Sequence, residues 1–254
     1  MLLGRLPSTA LLSRPEARPL APVFAPFAAA VRAGDFPAFQ RAVDAHEPWL
    51  LRRGLLLTLT YRLRPLLWRS LFRRVFLVTY VAPAEGHADS RKAATLELSH
   101  LFIAARYVQR LLEGWVPAAP HASQRAAAGG GVNPMLLTAV RNSAGPGTVA
   151  GAGNTTLTPP PGGPKALRPN EGLVWGNMPV TAEHVESVVA ALVAQGLMHG
   201  FIAHSQGRFA IMGAKTRGAV AAGWPNVAEV TAAAAEEDGS PARSVPGLVT
   251  VRDV

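Results

Sequence analysis

The chain has 254 residues, of which 49% are hydrophobic, and this is enough apolar material for one or two folded domains. It contains no cysteine, which excludes disulfides and thiolate metal sites and is typical of an intracellular protein whose fold depends on its core. Its formal net charge of +9 favours anionic partners such as nucleic acid, acidic proteins or a membrane surface, without choosing among them.

The first part of the chain, 1–116, is predicted to be a stack of α-helical hairpins. Apolar residues recur there every three or four positions, which is typical of helices with one buried face. Gly34 and Asp35 indicate the end of one helix and the N-cap of the next, and Pro48 and Pro65 indicate helix boundaries. The predicted helices cover residues 23–33, 36–48, 49–63, 65–78 and 95–112.

A low-complexity insertion is predicted at 117–177. Its 61 residues include 11 Ala, 11 Gly and 9 Pro, and Glu171 is its only acid. Such a composition does not bury enough apolar surface to become ordered, so most of the insertion is predicted to be disordered.

A helix followed by a β-hairpin is predicted in 178–226. Thr181 indicates the N-cap of the helix and Gly196 its end. Two apolar arms, 197–204 and 208–212, flank the turn 205–207, as a hairpin requires. This order of elements is that of the end of a winged helix. The remainder, 227–254, is predicted to be a disordered or frayed tail.

At this point five blocks of the chain resemble a known family, the PCI-domain proteins of the messenger-RNA export type and their signalosome-subunit-twelve-like relatives. The blocks keep the order that they have in the family. They are MLLGRLP at 1–7, the run AVRAGDFPAFQRAVDAHEPWLLRRGLLLTL at 30–59, RLRPLLWRSLFRRVFL at 62–77, LELSHLFIAARYV at 96–108 and HVESVVAALVAQGLMHGFIAHSQGRFAI at 184–211. The insertion at 117–177 and the lack of upstream helical repeats depart from the family pattern.

The resemblance implies a mainly α-helical PCI domain, in which a helical-repeat segment leads into a C-terminal winged helix. It implies a nuclear, non-enzymatic scaffold subunit that pairs with a larger PCI scaffold protein, is braced by a small acidic subunit of the proteasome-lid type and contributes to messenger-RNA export. It leaves open a second branch, that of protein-only scaffolds of signalosome or proteasome-lid complexes. Neither branch implies a cofactor.

Two groups of basic residues are candidates for nucleic-acid binding. Arginine offers several donors to phosphate, and each neutralised phosphate would steepen the salt dependence of binding. The stretch 48–80 has seven arginines and no acid, and three further cations follow the turn of the predicted hairpin. The alternative interpretation is that these residues form solvated surface or contact an acidic subunit. The candidates are Arg52, Arg53, Arg62, Arg64, Arg69, Arg73, Arg74, Arg208, Lys215 and Arg217.

Four aromatic residues could in principle stack on bases of single-stranded nucleic acid. At helical spacing, such residues usually belong to a core, and this is the prediction for them. They are Trp49, Trp68, Phe72 and Phe76.

An enzyme of the α/β-hydrolase class is the third hypothesis, because AHSQG at 203–207 imitates a nucleophile elbow. That fold requires a histidine after the nucleophile, but every histidine of the chain precedes Ser205. The chain has neither HExxH nor GxxxxGK[ST], so metal and nucleotide sites are not predicted. Its uncharged stretch between Arg53 and Arg62 is far shorter than the roughly 20 residues of a transmembrane helix, so no membrane segment is predicted.

Overall fold

The computed structural model describes residues 6–80, 94–117, 157–174 and 178–231, most of which are helical. The helices are α1 (Thr9–Leu12), α2 (Ala21–Ala33), α3 (Phe36–Arg52), α4 (Leu56–Thr79), α5 (Leu98–Leu112), α6 (Ala182–Ala194), α7 (Ala214–Arg217) and α8 (Ala219–Gly223). The strands are β1 (Thr95–Glu97), β2 (Val116–Pro117), β3 (Leu157–Thr158), β4 (Gly200–Ala203) and β5 (Arg208–Ile211). The mainly helical character predicted from the sequence is confirmed.

The α2–α3 hairpin has the turn that its sequence predicts. Gly34 ends α2 with a φ of 62°, and the side chain of Asp35 caps α3 by accepting a hydrogen bond from the Ala38 amide at 2.9 Å. A Cβ atom at Gly34 would lie 2.5 Å from the backbone nitrogen of Leu71 in α4. Glycine is therefore required both for the left-handed turn and for the close approach of this turn to α4.

The boundary between α3 and α4 differs from the prediction. Pro48 lies inside α3 and Pro65 inside α4, and the chain reverses at Gly54, whose φ is 65°. The division into helices 49–63 and 65–78 is therefore wrong. A proline inside a helix costs about 3 kcal/mol, but Leu63 and Leu67 beside Pro65 are fully buried, and their burial offsets that cost.

The helix predicted at 95–112 begins three residues later, because 95–97 forms the strand β1. This strand pairs antiparallel with β5, and its central residue Leu96 lies opposite Phe209. Both side chains are buried. The pairing partner lies more than 100 positions away, so local periodicity could not indicate the strand.

Part of the predicted insertion is packed on the helices. We call residues 157–174 the connecting segment; its Leu157, Leu167 and Leu173 belong to the hydrophobic core. The predicted disorder of 117–177 therefore does not extend over the connecting segment, because its scattered leucines each find a place in a core formed by other elements. The prediction for 118–156 and 175–177, like that for the tail from 232 onward, falls outside the described residues.

The helix and hairpin predicted after 178 are both present. Thr181 caps α6, accepting from the His184 amide at 3.3 Å while its own amide donates to Nδ1 of His184. Strands β4 and β5 form an antiparallel hairpin, and the sheet order is β1, β5, β4. This places β4 at one edge of the sheet and connects the helical part to the hairpin through β1.

A single hydrophobic core joins the N-terminal helices to the C-terminal helix and hairpin. Phe76 of α4 stacks on Tyr80, and its ring centroid lies 4.8 Å from that of Trp224, which follows α8. The helical stack and the C-terminal elements are thus packed together. No described helix is long and apolar enough to cross a membrane.

Candidate nucleic-acid and partner interface

Two of the predicted site arginines, Arg64 and Arg69, are bound to the backbone of other segments. Arg64 donates to the carbonyls of Asn170 and Gly172 in the connecting segment. Arg69 donates from Nε to the carbonyl of Leu197 at 3.0 Å and from Nη2 to that of Pro225 at 2.6 Å. These guanidinium groups bind backbone carbonyls within the chain. In this state, the same N–H donors are not available to bind a phosphate.

The electrostatics of Arg64 and Arg69 reflect the same burial. Desolvation lowers the pKa of Arg64. Desolvation and the neighbouring charge of Arg73 lower the pKa of Arg69 to about 10, so its guanidinium still carries a charge at neutral pH. Hydrogen bonds from a charged donor are stronger than hydrogen bonds between neutral groups. Arg69 therefore stabilises the packing of α4 against the C-terminal elements.

Four predicted arginines have exposed side chains: Arg52 at the end of α3, Arg53 directly after it, and Arg62 and Arg73 on α4. The Arg53 guanidinium lies 5.3 Å from the ring centre of Trp49, a cation–π contact on the surface. Arg74 is half-buried and lines a groove beside α5. The cluster seen in the sequence is therefore divided between solvent, a groove and internal contacts.

Arg62, Arg69 and Arg73 lie on one stripe of α4. At 3.6 residues per turn, positions separated by 7 and 11 residues fall within about 40° of one another around the helix. Because Arg69 contacts Leu197 and Pro225, this stripe faces the junction with the C-terminal elements. Arg73, one turn further along α4, places an exposed cation next to that junction.

The second basic group is only partly free. Arg208 on β5 forms an ion pair with Glu97 of β1, with 3.1 Å between Nη2 and Oε1. Lys215 and Arg217 on α7 are exposed. Of the ten predicted residues, Arg64, Arg69 and Arg208 thus have hydrogen-bond or ion-pair partners among the described residues.

Two large apolar side chains are exposed at the hairpin. Phe201 on the edge strand β4 is 56% exposed, and Met212, directly after β5, is 48% exposed. An edge strand has unpaired backbone groups, and apolar side chains beside it favour pairing with another protein. The sequence analysis did not single out either residue.

The aromatic residues considered as stacking platforms are mainly core residues. Trp68, Phe72 and Phe76 are buried, with Trp68 and Phe72 packed ring against ring. Trp49 is half-buried and meets Phe24 edge to face. The core interpretation is confirmed for the three buried residues.

The turn around Ser205 does not have the geometry of a nucleophile elbow. A single 3-10 turn, His204–Gln206, joins two antiparallel strands, whereas an elbow leads from a strand of a parallel sheet into a helix. His204 is directed to Glu186 of α6, with 2.7 Å between Nδ1 and Oε1. In the described parts of the chain, no three His, Asp or Glu residues come together as a metal site would require.

A groove between the α2–α3 turn, α4 and α5 was missed by sequence analysis. It has a volume of about 320 Å3 and is lined in part by Arg41, Arg74, Tyr107 and Trp115. These residues are spread over some 75 positions of sequence, and none forms a motif with another. Only the packing of the helices brings them together.

Comparison with known proteins relates part of the chain to a protein with a PCI domain. No family model matches the chain. The chain is similar to the PCI domain-containing protein C1105.07c of Schizosaccharomyces pombe, with 34% identity over 108 residues, which are 42% of this chain. The chain spans about 22% of the length of that protein. This similarity supports a relationship between this part of the chain and the PCI-domain proteins.

Proposed function

We propose that this protein is a non-enzymatic PCI scaffold subunit of a nuclear complex that couples transcription to messenger-RNA export. The observation that carries the proposal is the 108-residue similarity to a PCI domain-containing protein, on a chain that stacks helices against a helix and β-hairpin. In this proposal, α6 and the β4–β5 hairpin belong to a winged helix. The partners are a larger PCI scaffold protein, a small acidic subunit of the proteasome-lid type, and RNA or DNA.

The edge strand β4 is the proposed contact with the larger PCI scaffold protein. Phe201 is the largest exposed apolar side chain on this strand, and an added strand or apolar surface would cover it. We expect Phe201→Glu to remove the association, because a carboxylate would have to be buried in the contact. The same substitution should leave thermal stability unchanged, since the side chain already faces solvent.

Affinity purification from nuclear extract followed by mass spectrometry tests this contact. The unmodified chain should recover a larger protein with its own PCI domain and messenger-RNA export factors, and the Phe201→Glu variant should not. Leu57→Glu serves as the matched control, because it places the same charge on an apolar side chain of α4 that is 62% exposed and lies outside β4. If the unmodified chain and the Phe201→Glu variant recover the same proteins equally, β4 is not part of the interface. If signalosome or proteasome-lid subunits are recovered instead, the protein is a scaffold of that type.

The proposed nucleic-acid surface is built from the exposed arginines, with Arg53, Arg62 and Arg73 at its centre. We expect replacement of these three by glutamine to weaken binding of a 20-nucleotide single-stranded RNA at least tenfold at low salt. The slope of log affinity on log salt should fall by about 2, because each lost phosphate contact contributes roughly 0.7 for single strands. A fluorescence polarisation titration at several salt concentrations measures both quantities.

The matched control removes the same net charge elsewhere on the surface. Arg14, Arg18 and Arg106 are also exposed, and their replacement by glutamine changes the net charge equally. An equal loss of affinity in both triple variants would mean that only net charge matters. That result would contradict a defined surface on α3 and α4.

The second candidate function is a protein-only scaffold of the signalosome or proteasome-lid type. The internal engagement of Arg64 and Arg69 favours it, since these residues lie in the middle of the predicted basic stretch and serve packing. In this case the exposed arginines contact acidic protein surfaces. The chain and its purified complex would then show no salt-dependent affinity for RNA or DNA.

A further inference from the structure

The turn between α3 and α4 carries the most exposed apolar side chains of the described chain. We call residues 49–62 the hairpin tip. Leu51 at the end of α3 is 65% exposed and Leu57 in the first turn of α4 is 62% exposed, more than any other large apolar side chain that the structure describes. Tyr61, one turn further along α4, is 52% exposed. Exposed apolar side chains grouped around one turn mark a contact with another molecule.

The hairpin tip is also strongly basic. Arg52, Arg53 and Arg62 are exposed, and the sequence of the tip contains no acidic residue. Glu47, which precedes the tip on α3, forms an ion pair with Arg168 of the connecting segment, with 3.8 Å between Oε2 and Nη1. A partner of the hairpin tip therefore has to offer apolar groups and negative charge together.

The apolar and aromatic side chains of the hairpin tip lie in layers along the hairpin axis. Leu51 and Leu57 lie close to the chain reversal at Gly54. Tyr61 follows Leu57 by four residues, which is about 6 Å along α4 at 1.5 Å per residue. Trp49 precedes Leu51 by two residues, which is about 3 Å along α3. The leucines are thus outermost, and one aromatic ring on each helix is set back behind them.

Two arginines place their charge at the level of the aromatic rings. The Arg53 guanidinium lies 5.3 Å from the ring centre of Trp49, so this charge is held beside the ring rather than beyond the turn. Arg62 directly follows Tyr61 on α4. Arginine side chains cover apolar surface with their methylene groups while the guanidinium stays in contact with water. The positive charge of Arg53 and Arg62 therefore lies behind the two leucines.

We infer that the hairpin tip binds the surface of an anionic phospholipid bilayer. Leu51 and Leu57 enter the boundary between headgroups and acyl chains, which peripheral proteins reach to a depth of about 5–10 Å. The aromatic rings lie at headgroup level, where aromatic side chains are enriched in membrane proteins. Arg53 and Arg62 bind the lipid phosphates, and the negative surface potential attracts both. This inference goes beyond the proposed function and applies to either type of complex.

A bilayer fits the hairpin tip better than nucleic acid or another protein does. A phosphate backbone binds cations, but it offers no apolar layer for two leucines that lie ahead of those cations. A stable protein interface covers about 800 Å2 on each partner, whereas the tip offers three large exposed apolar side chains at the end of two helices. A bilayer needs no such area, because it surrounds a small projection and supplies apolar and anionic layers in the matching order.

Vesicle sedimentation with the full chain tests the inference. The probes are vesicles of phosphatidylcholine alone and vesicles with about 30% phosphatidylserine, an anionic lipid. We expect the chain to bind the phosphatidylserine vesicles at least about tenfold more strongly. This binding should weaken as salt is added, because salt screens the attraction between the arginines and the anionic surface.

Two double variants separate insertion of the leucines from attraction by net charge. The tip variant Leu51→Gln, Leu57→Gln keeps every charge, yet it should bind the phosphatidylserine vesicles at least about tenfold more weakly, because no leucine leaves water. The control variant Leu11→Gln, Leu77→Gln replaces two leucines outside the tip that are 44% and 50% exposed, and it should bind as the unmodified chain does. The melting temperatures should stay close to that of the unmodified chain, since all four side chains are exposed.

Equal binding to both kinds of vesicle, or equal vesicle binding by the unmodified chain and the tip variant, would overturn the inference. Absence of vesicle binding, together with loss of a protein from affinity purification with the tip variant, would assign the tip to a protein partner. Because Arg53 and Arg62 also belong to the proposed nucleic-acid surface, their replacement should weaken binding to RNA and to vesicles. The tip variant should weaken vesicle binding alone, and an equal loss of RNA binding would assign its leucines to the nucleic-acid surface.

Discussion

Replacement of Arg69 by methionine is expected to lower the free energy of unfolding by about 3 kcal/mol. Methionine keeps most of the aliphatic length of the side chain but leaves the carbonyls of Leu197 and Pro225 without their donor. A hydrogen bond from a charged donor contributes about 1.5–3 kcal/mol, and Arg69 makes two such bonds to part-buried carbonyls. Urea denaturation followed by circular dichroism measures the change.

Arg73→Met is the matched control for this prediction. Arg73 lies on the same stripe of α4 but is exposed, so its replacement should change the free energy of unfolding by no more than about 0.5 kcal/mol. Comparable losses in the two variants would mean that the Arg69 contacts contribute nothing beyond a surface charge. In that case Arg69 would return to the candidate nucleic-acid surface.

The roles of Arg64 and Arg69 show what sequence reasoning could not separate. In the sequence, they are two members of a run of seven arginines without an acid. An arginine that binds phosphate and one that binds a carbonyl look alike until the acceptor is known. Here the acceptors lie more than 100 positions away, in loops whose own sequence gives no sign of the contact. Charge composition therefore located the basic region correctly but overstated how much of it faces outward.

The predictable features of the fold are those that are decided locally. Gly34 and Thr181 were assigned to helix ends from short-range chemistry, and the structure has them there. The turn at Gly207 was likewise expected between two apolar arms. Each of these features depends on a few neighbouring residues, whose conformational preferences the sequence displays directly.

The features that were missed depend on distant packing. Pro48 and Pro65 are helix breakers by local preference, but α3 and α4 continue through them, and the buried Leu50 of α3 and Leu63 and Leu67 of α4 offset the cost. The strand β1 depends on pairing with β5. The connecting segment likewise depends on distant partners: Arg64 of α4 donates to the Gly172 carbonyl, and the Leu173 amide donates to Oε1 of Gln109 in α5. The groove with Arg41 and Tyr107 arises in the same way, from side chains that single helices place and the stack then combines.

Phe76→Ala is expected to destabilise the whole described fold, by about 3–5 kcal/mol. The Phe76 ring is fully buried and lies between Tyr80 of the α4 end and Trp224 of the C-terminal elements. Truncation to alanine removes the ring contacts with Tyr80 and Trp224 and leaves a cavity that these two rings could fill only by shifting inward. Because the core is continuous, the loss should appear in the N-terminal and the C-terminal parts equally.

Hydrogen exchange with mass spectrometry distinguishes this cooperative loss from a local one. Amides of α2 and α3 and amides of β4 and β5 should lose protection together in the Phe76→Ala variant, since one unfolding reaction exposes both. Leu77→Ala is the control, because Leu77 is the next residue of α4 and its side chain is half exposed. Loss of amide protection confined to β4 and β5 would instead mean that the hairpin unfolds by itself. Phe76 would then stabilise the packing of a separate module, the hairpin, against the helical stack. The docking of this module would then have an equilibrium of its own, and partner binding at β4 could shift it.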